Sequence, residues 1–393
     1  MKILAVGDLH AYPWPVFPPT QTGQPGYLAM VEHFLTRVLP DTAQAEGMGE
    51  NDIIVLLGDL ADEPYRRGKI AVQTMNTLAR GLVGLTKFPG RIEVLAGNHD
   101  RTGDGPGQHW FGALPRYGRL RYHADKPGLV ERGGGPPVAL VPYASTERVE
   151  AWLTELPERS LVLGHFVYRG TRMDNGKPFD EAAVVPGRLS SRFSGSILGH
   201  AHVPQEVNPT LCVHCAGTPL PYSWASDHAG SVLLVTLDDC PDAQVTVRRL
   251  EVAGAPRFLG PWAAVEVERR VRQLRTGGNY FVRVRVAPGD VTSLPALREA
   301  FPALHLVPVL DDAQLDSTQA APRLDLAQSG FTAGAVNTSE VAAALRSFVA
   351  YQVGQTNAGL PGSADELVAL GMEVLGLAPK EGGADADATP ADS

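Results

Sequence analysis

The sequence is short of cysteine, of positive charge and of long apolar runs, and each shortage excludes something. Three cysteines among 393 residues cannot build a disulfide framework, so a reducing compartment is expected. No apolar stretch approaches the roughly 18 residues that cross a bilayer. Met1 to Val6 runs straight into Gly7 and Asp8 with no apolar leader, and the expectation is a cytoplasmic protein with no membrane partner. Lysine and arginine number 34 against 43 acidic residues, a formal charge of −9, so the surface is not basic throughout. That sum leaves nucleic acid open as a partner, because Glu381 to Ser393 form an acidic tail and carboxylates that a metal would neutralise inflate the count.

What is present is a repeated local design. Gly97-Asn98-His99-Asp100 follows the apolar run Ile92 to Ala96 and reads as a tight turn at the end of a buried strand. Gly7-Asp8-Leu9-His10, Gly58-Asp59-Leu60-Ala61-Asp62, Gly164-His165-Phe166 and Gly199-His200-Ala201-His202 are built the same way. One such turn is ordinary turn chemistry. Five of them put carboxylates, imidazoles and an amide at strand ends, which coincidence does not explain.

Lys2 to Val6, Ile53 to Leu57 and Arg91 to Ala96 are expected as strands. Apolar residues recur at helical spacing between them, at Leu28, Val31, Leu35 and Val38 and again at Ile70, Met75, Leu78 and Leu82. Val138 to Tyr143, Leu161 to Leu163, Ser196 to Leu198, Leu211 to Cys215 and Ser231 to Leu237 continue as strands, with a helix near Glu147 to Leu156. The order predicts an α/β layered core with two sheets and helices on the outside. After Asp238 the composition changes: Gln244 to Val252, Tyr280 to Ala287 and Leu304 to Leu310 read as strands, Ala263 to Leu274 and Ser293 to Phe301 as helices, together a small β-α-β-α-β unit. The expected division is a core over 1–240, the small unit over 241–312, a linker over 313–337, two helices within 338–378 and a disordered tail over 379–393.

Ligands of this kind suit two divalent ions that activate water and clamp the oxygens of a phosphorus centre. Asp59 at its strand end is the natural bridging carboxylate. Asp8 and His10 lie two apart and can turn to one side, Asn98 supplies a neutral oxygen, and His165, His200 and His202 supply imidazoles. Two carboxylates against two dications leave a net charge of about +2, which suits an anionic phosphate ester. Mixed nitrogen and oxygen ligands favour manganese, or iron or zinc, over magnesium or calcium. His99 is the imidazole left over from ligation. It could protonate a leaving oxygen, with Asp62 orienting it and raising its pKa.

The series GDLH, GDLAD, GNHD, GHF and GHAH, in this order over residues 1–203, resembles the calcineurin-like metallophosphoesterase superfamily. Within it, Cys215 to Trp224 (CAGTPLPYSW) is similar to the segment that follows the last histidine motif in SbcD-type nuclease subunits, and the small unit falls where those proteins carry a DNA-capping domain. The resemblance implies that Asp8, His10 and His202 hold one metal and Asn98, His165 and His200 the other, with Asp59 bridging and His99 catalytic. It further implies DNA as substrate, a homodimer, and docking of the last helices, at Glu366-Leu367-Val368-Ala369-Leu370-Gly371, on an SbcC-type ATPase. Glu63 stands where the phosphatase branch has arginine, which disfavours a protein phosphatase. The alternative activity is hydrolysis of a nucleotide or other small phosphate ester, and a non-catalytic scaffold ranks last.

Plainer readings cover the rest. The remaining six histidines read as surface or packing residues. Cys212-Val213-His214-Cys215 spells a C-x-x-C, but strand alternation separates Cys212 from Cys215 and no second cysteine pair completes a zinc site. Arg66, Arg67 and Lys69 could meet a phosphate backbone, but read better as a solvated helix start. Tyr12, Trp14 and Phe17 either stack on bases or pack the Pro-rich loop after His10, and Arg283 and Arg285 either face DNA or face water.

Overall fold

The computed structural model describes residues 1–310 apart from 63–69, 103–106, 114–119, 134, 181–182, 239–243, 276–277 and 287–292. The expected linker, C-terminal helices and tail lie outside the described residues, as do Glu63, Arg66, Arg67 and Lys69.

Two six-stranded sheets form the core. In the first, β1 (Lys2–Val6), β2 (Ile53–Leu56), β3 (Arg91–Leu95) and β4 (Leu120–His123) run parallel. In the second, β5 (Gly128–Val130) pairs antiparallel with β6 (Val138–Val141), which runs parallel to β7 (Leu161–Gly164). Next come β8 (Gly195–Leu198) and β10 (Val213–Cys215), also parallel, and β9 (Gln205–Asn208) closes that edge antiparallel. The first sheet is completed by β11 (Ser231–Leu237) and β12 (Val245–Glu251), each antiparallel to its neighbour, giving the order β12-β11-β1-β2-β3-β4.

The central strands β1, β2, β3, β6, β7, β8 and β11 are buried on both faces, so their sequences are nearly continuous apolar runs. Ile3, Ala5, Ile53, Val55, Leu140, Leu163 and Ile197 meet between the sheets. Their chain neighbours Leu4, Val6, Ile54 and Leu56 point outward beneath the helices α1 (Gly26–His33), α2 (Leu39–Ala45) and α3 (Val72–Leu85). Leu28, Val31, Leu35, Leu78 and Leu82 cover that face at helical spacing. On the far side α4 (Thr146–Glu155) covers the second sheet with Val149 and Leu153. Each such buried aliphatic side chain contributes about 1.5–3 kcal/mol. The helical spacing of Leu28, Val31, Leu35 and Val38 is realised as a run from Gly26 to Ala45, with a wider π-type turn at Phe34–Val38.

One expectation needs correction. The sequence pattern places Gln244 to Val252 in the small unit, but β12 pairs along its whole length with β11 and belongs to the first core sheet. The small unit starts instead with β13 (Pro256–Ala263), unrecognised because Pro256, Gly260 and Pro261 interrupt its alternation. Its all-parallel sheet runs β13-β14-β15, with β14 at Asn279–Val286 and β15 at Leu304–Leu310, linked by α5 (Ala264–Val271) and α6 (Ser293–Ala300). It packs on the core through aromatic rings: Phe281 lies 4.8 Å from Phe17, and Phe258 4.9 Å from Trp224.

Candidate metal centre

All five turns gather at the carboxyl ends of β1, β2, β3, β7 and β8, the parallel strands at the centre of the two mixed sheets. Parallel sheets carry ligands there because every strand ends on the same edge. Backbone bonds tie the turns together. Leu9 and His10 donate their amides to the Asp59 carbonyl at 3.0 and 2.9 Å, and Ala11 to that of Leu60 at 2.9 Å. Three of the residues predicted as ligands sit in the left-handed backbone region, His10 at φ 44°, Asp59 at 50° and His200 at 73°. For non-glycine residues that costs free energy and persists where surrounding structure imposes it.

The predicted ligands fall into two clusters. Asp8, His10 and His202 form one, and Asp59, His165 and His200 the other, with ligand atoms in each within 4.8 Å of one another. His10 Nε2 faces His202 Nε2 at 3.0 Å. Asn98 Oδ1 lies 3.0 Å from His165 Nε2 and 2.9 Å from His200 Nδ1, which places the amide in the second cluster. Asp59 reaches both: its Oδ2 is 3.4 Å from His165 Nε2 and 3.7 Å from His10 Nε2, while its Oδ1 accepts the His99 amide at 2.8 Å. The eighth and ninth candidates stand together at the side, Asp62 Oδ1 lying 3.1 Å from His99 Nδ1 and 3.3 Å from His10 Nδ1.

These donors fit divalent cations. Asp8 Oδ2 is buried without a hydrogen-bond partner while its Oδ1 accepts the His200 amide at 3.0 Å. An orphaned buried carboxylate oxygen beside facing imidazole nitrogens is costly unless a cation completes it. The electrostatics agree. Burial alone would raise the Asp59 carboxyl, but the neighbouring His165, with His10 and His99, holds it well below the usual range. Burial likewise opposes charge on His165, yet Asp59 and Asp8 raise it to about 9. His200, buried and beside His165, falls to about 3. Bound divalent ions would supply Lewis-acid activation of water and neutralise phosphate oxygens.

The chain's own groups supply the rest. His202 Nδ1 lies 3.1 Å from Asp174 Oδ2 and 3.2 Å from the Tyr222 hydroxyl, so its ring is held with Nε2 toward Asp8 and His10. Sequence reasoning missed both. Asp174 sits in a polar loop with no strand or helix pattern to mark it. Tyr222, inside the segment singled out after the last histidine motif, also lies 5.2 Å from the His10 ring. Asp100 serves as a staple: its Oδ1 accepts the Leu60 amide at 2.8 Å and its Oδ2 the Gly97 amide at 2.9 Å, joining two of the turns. Tyr143 and Phe179 flank the His200 ring at 5.9 and 5.5 Å.

The other candidates resolve by packing. Trp14 stacks on Tyr222 at 4.9 Å and donates its indole N–H to the His10 carbonyl at 3.2 Å, and Phe17 is buried, so both pack the Pro-rich loop. The Arg283 guanidinium lies 4.4 Å over the Trp224 ring. Cys215 is fully buried, its thiol pushed up to about 12 by desolvation, and among the described residues Cys212, His214 and Cys215 form no metal cluster.

No curated protein matches the chain. Residues 1–204 match the family model of the calcineurin-like phosphoesterases, so the chain belongs to that family of metal-dependent phosphoester hydrolases, and its two clusters of strand-end Asp and His residues are the candidate metal ligands.

Proposed function

We propose that the chain is a two-metal phosphodiesterase acting on DNA, a nuclease subunit of the SbcD type that works with an SbcC-type ATPase in DNA end processing and repair. Asp8, His10 and His202 take one ion, Asn98, His165 and His200 the other, and Asp59 both, with manganese the preferred metal and iron or zinc able to replace it. His99 gives its proton to the leaving oxygen and Asp62 orients the imidazole.

The observation that carries the DNA reading is the path from the site to the small unit. Tyr222 touches the His10 and His202 rings, and two residues on Trp224 packs against Phe258 and Arg283 of the small sheet. A substrate bound at the metals thus lies beside a second unit able to contact its extended parts, which a small ester does not need. A second reading, a phosphodiesterase of small esters, is favoured by one fact: every residue of the two clusters lies between Asp8 and His202, with none from the small unit. Docking of the ATPase is assigned to the segment 338–378, and the protein is taken to act in the cytoplasm as a homodimer.

Incubating the purified chain with manganese and linear duplex or single-stranded DNA, beside bis(p-nitrophenyl) phosphate, separates the readings. Degradation of DNA supports the nuclease. Hydrolysis of the ester with intact DNA, even after the ATPase is added, supports the second reading.

A further inference from the structure

Two cavities flank Tyr143, Ala144 and Ser145, the segment leading from β6 into α4. The first, of about 300 Å³, opens beside the candidate ligand His200 and is walled by Tyr143, Phe166 and Val185 with Glu147 among its lining residues. The second, of about 210 Å³, lies on the other side and is lined by Arg101, Asp125, Arg148 and Trp152. Helix geometry creates the second wall. Val149 and Leu153 anchor α4 in the core, so Arg148 and Trp152, four residues apart, share the adjoining face. The Arg148 guanidinium lies 5.0 Å over the Trp152 ring.

Both cations in this cavity donate to a backbone carbonyl. Arg148 Nη2 donates to the Asp125 carbonyl at 3.2 Å, and Arg101 Nη1 to the Ala124 carbonyl at 3.1 Å. The Asp125 carboxylate accepts the Gly107 amide at 3.0 Å and lies 3.7 Å from His109. Arg148 is therefore an exposed cation with no carboxylate partner among the described residues, beside an aromatic ring and one segment away from the metal clusters. In the first cavity the signs are reversed. A phosphate beside Glu147 would be repelled, whereas a space of mixed polar and apolar lining, with the rings of Tyr143 and Phe166 on its wall and the Glu147 carboxylate among its lining residues, suits a planar base bearing an amino group.

We propose that the two cavities hold the nucleotide next to the scissile phosphate of a single-stranded nucleic acid, its base against Tyr143 and Phe166 and its outer phosphate at Arg148 and Arg101. The proposal rests on the nuclease reading above and adds a strand path to it. Base stacking and phosphate pairing are the two contacts that single-strand binders combine.

Cleavage kinetics of the full chain with manganese test this. On a short single-stranded oligodeoxynucleotide, Arg148→Gln raises KM and retains kcat. It also lowers the slope of log KM against log salt by about 0.7, the share of one phosphate contact on a single strand. Hydrolysis of bis(p-nitrophenyl) phosphate by the same variant stays at the wild-type rate, showing an intact site. Arg91→Gln, an exposed arginine at the opposite end of the first sheet, leaves both substrates unchanged. A wild-type KM and salt slope for Arg148→Gln would overturn the cleft while leaving the nuclease reading standing. Wild-type protein that hydrolyses the ester but cleaves no oligonucleotide would overturn both, before any variant is made.

Discussion

Asp62 Oδ1 lies 3.1 Å from His99 Nδ1, while the His99 amide donates to Asp59 Oδ1 at 2.8 Å. Burial lowers the affinity of His99 for its proton, but Asp62 and then Asp59 more than reverse this, so the imidazole keeps its proton to higher pH than a free one. With Nδ1 engaged by Asp62, Nε2 is the atom left to give a proton to a departing oxygen.

His99→Ala should therefore retain both metals while turnover on an alkyl or nucleoside leaving group drops by roughly 10²–10⁴-fold, the usual worth of a general acid. The loss should shrink for p-nitrophenolate, which leaves without a proton. Steady-state rates on the two ester types decide it, and equal losses would remove His99 from this role.

Asp174→Ala should weaken metal binding without unfolding the chain. Its carboxylate accepts from His202 Nδ1 at 3.1 Å and is partly exposed, so the variant loses ring orientation more than packing. Partners of this kind are worth ~10–100-fold in affinity. Manganese titration followed by calorimetry measures it, and a Kd equal to that of wild type would exclude the contact as a support of the site.

Asp100→Ala should destabilise the fold, because the Leu60 and Gly97 amides lose their acceptor while staying buried. At about 1–3 kcal/mol for each orphaned donor, the cost should appear as a lower midpoint in urea. Gly97→Ala should act more directly on the site: a Cβ there would collide with the Asp59 carboxylate and backbone amide. Gly58→Ala combines a positive φ of 109° with a clash on the His165 ring. Both should lose metal as well as stability.

Metal uptake should release protons. In the metal-free protein His165 titrates at about 9, so at neutral pH it carries a proton that a cation must displace. The sign follows: apparent affinity rises with pH toward 9 and levels off above it. Calorimetry in buffers of different ionisation enthalpy reads the proton count directly. Conversely, chelation should lower the melting temperature, since an ion present at 100 times its Kd contributes about 2.7 kcal/mol.

The centre was legible in the sequence because each of its pieces is local. Gly7, Gly58, Gly97, Gly164 and Gly199 each precede a donor at the end of an apolar run, and a buried parallel strand delivers its last residues to one edge whatever the rest of the chain does. Asp174 and Tyr222 were not legible, because their meeting at His202 joins loops 28 and 20 residues away through tertiary packing alone. The same limit explains β12. Its alternating pattern predicts a strand correctly, but only the pairing of Val245–Glu251 with Ser231–Leu237 assigns it to a sheet. For Trp14 and Phe17 the sequence leaves base stacking and loop packing open, and their ring contacts with Tyr222 and Phe281 show the packing.

The central claim is that Asp59 joins two cation sites, and anomalous diffraction from crystals grown with manganese tests it most directly. The account predicts two peaks about 3.5–4 Å apart, one against Asp8, His10 and His202, the other against Asn98, His165 and His200, with the Asp59 carboxylate touching both. A single peak, or two peaks of which Asp59 touches only one, would contradict it.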